Sequence, residues 1–278
     1  MPLSIGARTS RNALLSAAVA AAVTAALSRP LSAQAPAVQF APLGKRHLPA
    51  DEDATQSLVW GDVDGDGDLD LVTGNGHYVG QQNRLYRNDG HGVLTDVTGT
   101  NLPARADYTT AVALGDVDGD GDLDLVVGEY YQQVRLLLNN GSGVFTDVTA
   151  ARLPALTGYI RSIQFGDVDG DSDVDVVIGS YYDQTRLLLN NGGGTFTDAS
   201  VTRMPALINS CYSTALGDVD GDGDLDVVVG NSYGQNRLYR NIGCCTFPDA
   251  PAAQMPVRVA SSGAIVLGDV DGDGDLDV

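Results

Sequence analysis

The sequence predicts an all-β fold, a β-propeller of four-stranded blades, and three observations lead there. An aspartate-rich stretch recurs five times at nearly constant spacing, short segments rich in β-branched residues flank each copy, and no helical periodicity of useful length runs between Val38 and Val278. Aligned on their first aspartate, the stretches begin at Asp62, Asp116, Asp167, Asp218 and Asp269, so the intervals are 54, 51, 51 and 51 residues. Four short strands in a period of about 40 to 50 residues is the pattern of a propeller blade, whose small twisted sheets pack face to face around an axis.

The elements follow in chain order. Residues 1–35 read as a secretory signal peptide: Arg8 and Arg11 precede an apolar, Ala-rich run from Ala13 to Leu27, followed by Ser28, Arg29, Pro30 and small residues. As a helix this run would span about 22 Å, short of a hydrocarbon core of about 30 Å, so export is expected and a membrane span is not. Residues 36–278 form the propeller. Each period has an apolar strand such as "TAVALGD", the aspartate loop, and a second strand such as "LDLVVG". An Arg-led strand ("VRLLLNNG") follows, then a Phe-led strand ("VFTDVT") and the connection "RLPA". The Asn-Asn-Gly or Asn-Asp-Gly between the last two strands tolerates the positive φ of a tight turn, which makes them a hairpin. The longer first period carries its extra residues in the loop "NGHYVGQQ", between Gly74 and Arg84. At the ends, "FAPLGKRHLPA" from Phe40 matches "FTDVTAARLPA" from Phe145, an orphan fourth strand, and the last period stops at Val278 just after its loop. Four complete repeats with partial ends are expected, a longer propeller truncated at its C-terminus.

The net charge of −20 comes from 36 acidic and 16 basic residues, and the five loops hold 25 of the acidic ones. What remains is 11 acidic against 16 basic residues, so the acidity is a set of local sites. It argues against a nucleic-acid partner.

The loop Asp62-Val-Asp64-Gly-Asp66-Gly-Asp68-Leu-Asp70 places carboxylates at alternate positions of a tight turn. Calcium takes six to eight hard oxygen ligands at about 2.3 to 2.6 Å, and side chains at positions 1, 3, 5 and 9 with a main-chain oxygen at 7 supply them. The expected Ca²⁺ loops are therefore Asp62, Asp64, Asp66, Asp68 and Asp70; Asp116, Asp118, Asp120, Asp122 and Asp124; Asp167, Asp169, Asp171, Asp173 and Asp175; Asp218, Asp220, Asp222, Asp224 and Asp226; and Asp269, Asp271, Asp273, Asp275 and Asp277. Position 7, as in Asp68, is expected to offer its main-chain oxygen and turn its carboxylate outward. Gly67, at position 6, permits the sharp turn, and Ser172 stands there in the third copy at some cost in strain. Zinc would need Cys or His, which the loops lack. An EF-hand would need Glu at position 12, where Thr73, Val127, Ile178 and Val229 stand. A solvated acidic turn accounts for one copy but not for five with the same spacing.

The pattern "ALGDVDGDGDLDLVVG" resembles FG-GAP and VCBS-type repeats, related to the calcium-binding blades of integrin α-subunit propellers. The resemblance covers the chain from about Phe40 to Val278. It implies a propeller, usually seven-bladed, with Ca²⁺ between the first two strands of each blade and ligands engaged on the opposite side. Nine of the eleven tyrosines map to that opposite side: Tyr78, Tyr130, Tyr131, Tyr181, Tyr182 and Tyr233 between strands two and three, and Tyr108, Tyr159 and Tyr212 before first strands. Exposed aromatic groups suit sugar stacking or a protein interface. The repeated Gln-x-Arg (Gln82 and Arg84, Gln133 and Arg135, Gln184 and Arg186, Gln235 and Arg237) is expected to hold neighbouring blades together.

Three cysteines cannot form a full disulfide framework, and Cys211 lies at the opposite strand end from Cys244 and Cys245. A Cys244–Cys245 bond and free thiols both remain open. His47, His77 and His91 neither repeat nor cluster, and no nucleophile motif occurs, so no enzyme activity is expected. The expectation is a secreted, Ca²⁺-binding propeller for adhesion or for recognition of an extracellular glycan or protein. The propeller part of a larger secreted carbohydrate-active enzyme is the alternative.

Overall fold

The computed structural model describes residues 49, 52–76, 78–250 and 261–278. The expected signal peptide and nearly all of the segment from Phe40 to Ala50 lie outside them. Blade 1 is β1 (Thr55–Gly61), β2 (Asp70–Asn75), β3 (Arg84–Asn88) and β4 (Leu94–Asp96). Blade 2 is β5 (Thr109–Gly115), β6 (Asp124–Gln133), β7 (Arg135–Asn139) and β8 (Phe145–Asp147), and blade 3 is β9 (Thr157–Gly166), β10 (Asp175–Asp183), β11 (Arg186–Asn190) and β12 (Phe196–Asp198). Blade 4 has β13 (Asn209–Gly217), β14 (Asp226–Asn231) and β15 (Arg237–Tyr239), with an isolated Tyr239–Asp249 bridge where a fourth strand would lie. Within each blade consecutive strands pair antiparallel, and the first ladder closes at the same place each time: Gly61 opposite Asp70, Gly115 opposite Asp124, Gly166 opposite Asp175 and Gly217 opposite Asp226. The aspartate loop is thus a hairpin connection whose ends are fixed by that pair. This is the blade structure of a β-propeller; the strand order runs open among the described residues.

Second strands read as continuous apolar runs because both faces are covered. All six residues of β2 and of β14 are buried, since a blade is sandwiched between its neighbours. The larger clusters of buried side chains lie between blades: Val72 and Leu85 of blade 1 with Val112, Leu125 and Leu137 of blade 2, then Val126 and Leu136 with Ile160 and Ile178 of blade 3. Each such Leu or Ile contributes on the order of 1.5–3 kcal/mol by burial. The glycine before each loop is required by this contact. A Cβ on Gly61 would lie 2.7 Å from Leu114 Cδ1, and on Gly115 2.9 Å from Phe165, in both cases a side chain of the following blade. Cys211 fills the same kind of space, its Sγ 2.5 Å from where a Cβ on Gly179 would sit.

One element has no counterpart in the sequence reading. A single helical turn follows each three-residue fourth strand: α1 (Thr98–Asn101), α2 (Thr149–Arg152) and α3 (Ser200–Arg203). Four residues are too few to show a helical period, and local hydrogen bonds form the turn instead. Asp96 Oδ1 accepts the Thr98 N–H at 2.9 Å, and the Thr98 hydroxyl accepts the Leu85 N–H of β3 at 3.0 Å. Asp147 with Thr149 and Asp198 with Ser200 repeat the arrangement.

Of the Gln-x-Arg pairs, Gln133 meets the expectation, accepting from the Leu156 N–H at 3.0 Å and pairing with Thr157 at the start of blade 3, while the arginines act differently. Arg84, Arg135, Arg186 and Arg237 each reach the aspartate of their own blade's fourth-strand segment, Asp96, Asp147, Asp198 and Asp249. They lace strands three and four within a blade. Arg135 alone reaches a junction, because its second partner Asp107 also accepts from Asn83 Nδ2 of blade 1 at 3.1 Å. All three cysteines are free thiols.

Candidate metal centre

Five carboxylate triads stand in the five loops, each with one oxygen per residue and all oxygens within 4.8 Å of one another. They are Asp62, Asp64 and Asp66; Asp116, Asp118 and Asp124; Asp167, Asp169 and Asp175; Asp218, Asp220 and Asp226; and Asp269, Asp271 and Asp273. Positions 1 and 3 belong to every triad, with position 5 completing the first and last and position 9 the middle three. Asp120, Asp171 and Asp222 at position 5, and Asp70 and Asp277 at position 9, lie outside the triads of their own loops.

Position 7 belongs to none. Its carboxylate lies against the hairpin turn of its own blade, so that a Cβ on Gly90, Gly141 or Gly192 would come within 2.4 to 2.5 Å of Oδ2 of Asp68, Asp122 or Asp173. Asp224 and Asp275 also stay outside the triads.

The loop is shaped by its own aspartates before any ion is considered. Oδ1 and Oδ2 of Asp62 accept the N–H groups of Gly65 and Gly67 at 2.8 and 3.0 Å, and Asp66 Oδ1 accepts that of Asp68 at 2.9 Å. Position 6 needs a positive φ, +95° at Gly67 and +96° at Gly121, and Ser172 adopts +76° while its N–H still reaches Asp167 Oδ2 at 2.9 Å. The third loop therefore keeps the common shape, with the strain of a left-handed non-glycine residue.

Position 9 has a second task. Both oxygens of Asp70, Asp124, Asp175 and Asp226 accept backbone N–H groups, one from position 2 of the loop and one from the asparagine ending strand three. A carboxylate has about four lone-pair sites, so a further bond to a cation remains open.

Those asparagines, Asn88, Asn139, Asn190 and Asn241, are functional residues the sequence reading did not find. Asn139 Nδ2 donates to the Val63 carbonyl of the preceding blade's loop at 2.7 Å and to Leu123 of its own at 3.2 Å. Asn190 and Asn241 do the same with Val117 and Val168. Loops 1 to 3 are so tied to the next blade. The signal was present in the recurrence of Asn at one register, but Asn before Gly has an ordinary meaning as a turn former.

Electrostatics separates the loops. Burial pushes Asp124 and Asp175 up to about 7, reinforced by Asp118 and Asp120 in one loop and Asp169 and Asp171 in the other, and Asp116 is raised, again first by burial. Asp118 Oδ1 and Asp169 Oδ1 are buried without a hydrogen-bond partner. In loops 1 and 4 an arginine, Arg87 of β3 or Arg240 just after β15, forms an ion pair with the position-3 aspartate, Asp64 or Asp220. Leucines 138 and 189 stand at that register in blades 2 and 3. An oxygen-only donor set with crowded and partly orphaned carboxylates fits a hard divalent cation.

The repeat unit of strand, aspartate loop, strand and hairpin is the deciding feature, and it matches the FG-GAP-like repeat over residues 62–127, 116–178, 167–229 and 218–278. The chain belongs to the FG-GAP-like repeat family. Cartilage acidic protein 1 of Homo sapiens is 30% identical over 151 residues, covering 51% of this chain and 22% of that protein. Cartilage acidic protein 1 of Xenopus tropicalis is 26% identical over 176 residues, covering 55% and 25%. The FG-GAP-like chain thus spans about a quarter of the length of these relatives. Among solved structures, the V. cholerae biofilm matrix protein Bap1 is similar with a TM-score of 0.49 and 18% identity, over 81% of this chain and 34% of that one. BBS1N, crystallised with ARL6DN, is similar with a TM-score of 0.47 and 12% identity, over 80% and 61%. No helix among the described residues is long and apolar enough to cross a membrane.

Proposed function

We propose that this FG-GAP-like chain is a secreted propeller held by Ca²⁺ in its aspartate loops and used outside the cell for recognition or adhesion, with a glycan or a protein as ligand. The observation that carries the reading is the carboxylate triad repeated in five loops, with Asp118 Oδ1 and Asp169 Oδ1 buried and unpartnered. Positions 1, 3, 5 and 9, with the main-chain oxygen at 7, would hold the ion. When bound, Ca²⁺ supplies the positive charge that lets these carboxylates ionise side by side. The chain's own residues do the rest: position 9 pins the loop to strand three, and the asparagines fasten it to the next blade. The role of calcium is therefore assigned to stability, and recognition to the tyrosine-bearing ends of the strands. The likeness to cartilage acidic protein 1 supports an extracellular setting.

Calorimetric titration of the chelator-treated protein with Ca²⁺ and with Mg²⁺, paired with melting curves, tests this. Calcium should bind at several sites and raise Tm, and magnesium should do so far less. A melting temperature indifferent to chelator would refute it.

A further inference from the structure

At the strand ends opposite the loops, β6 and β10 outrun their own blades and pair with the first strand of the next. Tyr130 lies opposite Tyr159 and Gln132 opposite Gly158, while Tyr181 lies opposite Ser210 and Asp183 opposite Asn209. Both ladders skip one residue, Tyr131 in the first and Tyr182 in the second, and these two stand at φ +52° and +63°. The left-handed backbone is strained for tyrosine, and glycine would sit there freely. The bulge turns each ring out of the sheet, leaving Tyr131 58% and Tyr182 60% exposed. The same Tyr-Tyr pair at the same register on adjacent blades makes a platform that repeats with the blade.

The rings are continuous. Tyr130 is 4.7 Å from both Tyr131 and Tyr159, Tyr159 is 5.6 Å from Tyr181, and Tyr181 is 4.0 Å from Tyr182 and 5.5 Å from Tyr212. Arg161 lies within them, its guanidinium carbon 5.3 Å from the Tyr159 ring and 4.3 Å from that of Tyr212, donating to the Tyr159 hydroxyl at 3.0 Å. Arginines 84, 87, 105, 135, 152, 186, 237 and 240 each lie within ion-pair distance of an acidic side chain. Arg203 donates to the Cys244 carbonyl. Among the described residues Arg161 has no acidic partner. It is held flat by two rings, with donors left for a carboxylate from outside.

We infer that this surface binds an acidic polysaccharide, with sugar faces stacked on Tyr131 and Tyr182 and a sugar carboxylate paired with Arg161. Resting on the recognition role proposed above, this names its ligand class. Flat rings rimmed by hydroxyls suit the alternating C–H and O–H surface of a sugar, a planar guanidinium without an acid suits a uronate-type carboxylate in bidentate geometry, and a platform repeated on adjacent blades suits a polymer.

The test uses the full chain in Ca²⁺, titrated with polygalacturonate, with its methyl-esterified form and with dextran. Polygalacturonate should bind best. Arg161→Gln should weaken it about tenfold or more while leaving binding of the esterified polymer unchanged. Tyr131→Gly with Tyr182→Gly keeps the backbone shape and removes the rings; this variant should hold or raise Tm and lose binding to both pectic polymers. Equal affinity for the three polymers, or an Arg161→Gln variant that binds like the parent, would overturn the acidic ligand. A double glycine variant that melts lower, with binding intact, would make the tyrosines structural and overturn the site. Capture of a protein ligand in place of any polymer would likewise overturn the inference and leave the recognition role standing. Calcium-dependent melting, read separately, reports whether the wider reading has failed.

Discussion

Blades 2 and 3 differ from blades 1 and 4 although all four are copies of one repeat. In the middle blades the second strands, β6 and β10, have ten and nine residues and cross to the next blade; β2 and β14 have six and stop at their own edge. The middle loops leave one position-3 carboxylate oxygen unpartnered, Asp118 Oδ1 and Asp169 Oδ1, with Arg152 3.9 Å from the other oxygen of Asp118, whereas Arg87 and Arg240 pair closely with Asp64 and Asp220 in the outer ones. Burial follows position in the stack. Leu114 of blade 2 is covered by Gly61 of blade 1, but its counterpart Trp60 is 47% exposed. Val117 at loop position 2 is 1% exposed beneath the next blade, while Val270 in the last loop is 85% exposed. A repeat thus has the same local structure everywhere and a different energetic environment at each place, because half of its contacts belong to its neighbours.

The strongest way to break this comparison is to remove calcium. At ten times Kd each site contributes about 1.4 kcal/mol by mass action, so chelation should lower stability by several kcal/mol in total. Asp169→Ala should diminish the calcium-dependent rise in Tm more than Asp64→Ala and Asp220→Ala do, since an arginine already pairs with each of the latter two and none with Asp169. Equal losses would erase the distinction between middle and outer loops.

The tie between blades comes next. Asn190→Ala removes two bonds to the carbonyls of Val117 and Val174 and leaves them buried, which should cost about 2–3 kcal/mol in denaturant unfolding. Asn88→Ala loses the Leu69 bond at a more exposed site and should cost about 1 kcal/mol.

Blade 2 alone carries a fully buried Glu129, pushed up to about 7 by burial and by Asp107, with Arg105 and Arg135 opposing. The folded pKa lies above the ordinary glutamate value of 4.5, so the folded state favours the protonated form. The cost of ionising it is absent at low pH, grows as pH rises from about 4.5 to 7 and stays constant above. Glu129→Gln should therefore flatten the fall in stability over that window and raise Tm at pH 8, measured against the parent in calcium. The smallest expected effect is that of Ser172→Gly, which relieves a left-handed serine and should stabilise by about 1 kcal/mol.

Much of this architecture is legible in the residues. The period, the strand–loop–strand order and the paired glycine and aspartate at each loop mouth follow from spacing, because a repeat must place equivalent residues in equivalent surroundings. The alternate aspartates likewise announce a hard-cation loop. The helical turns α1 to α3 were not legible, being made by single hydrogen bonds to Thr98, Thr149 and Ser200 rather than by any period. Asn139, Asn190 and Asn241 were visible only as turn residues, since their partners lie 73 to 76 positions earlier in the chain. The Arg of Gln-x-Arg shows the converse: an identical residue in every blade suggests a tie between blades, but its carboxylate lies only twelve residues away in its own blade.

By itself, then, the sequence determined the repeat, the blade and the chemistry of the loops, all set by contacts within about 50 residues. Only the tertiary structure decided which loops carry an internal arginine and which keep an orphaned carboxylate. It also decided which tyrosines are forced outward by a bulge and that Arg161 is left among tyrosine rings without an acid. Those properties depend on how one blade is laid against the next, and a residue's distance to the neighbouring blade is written in no local pattern.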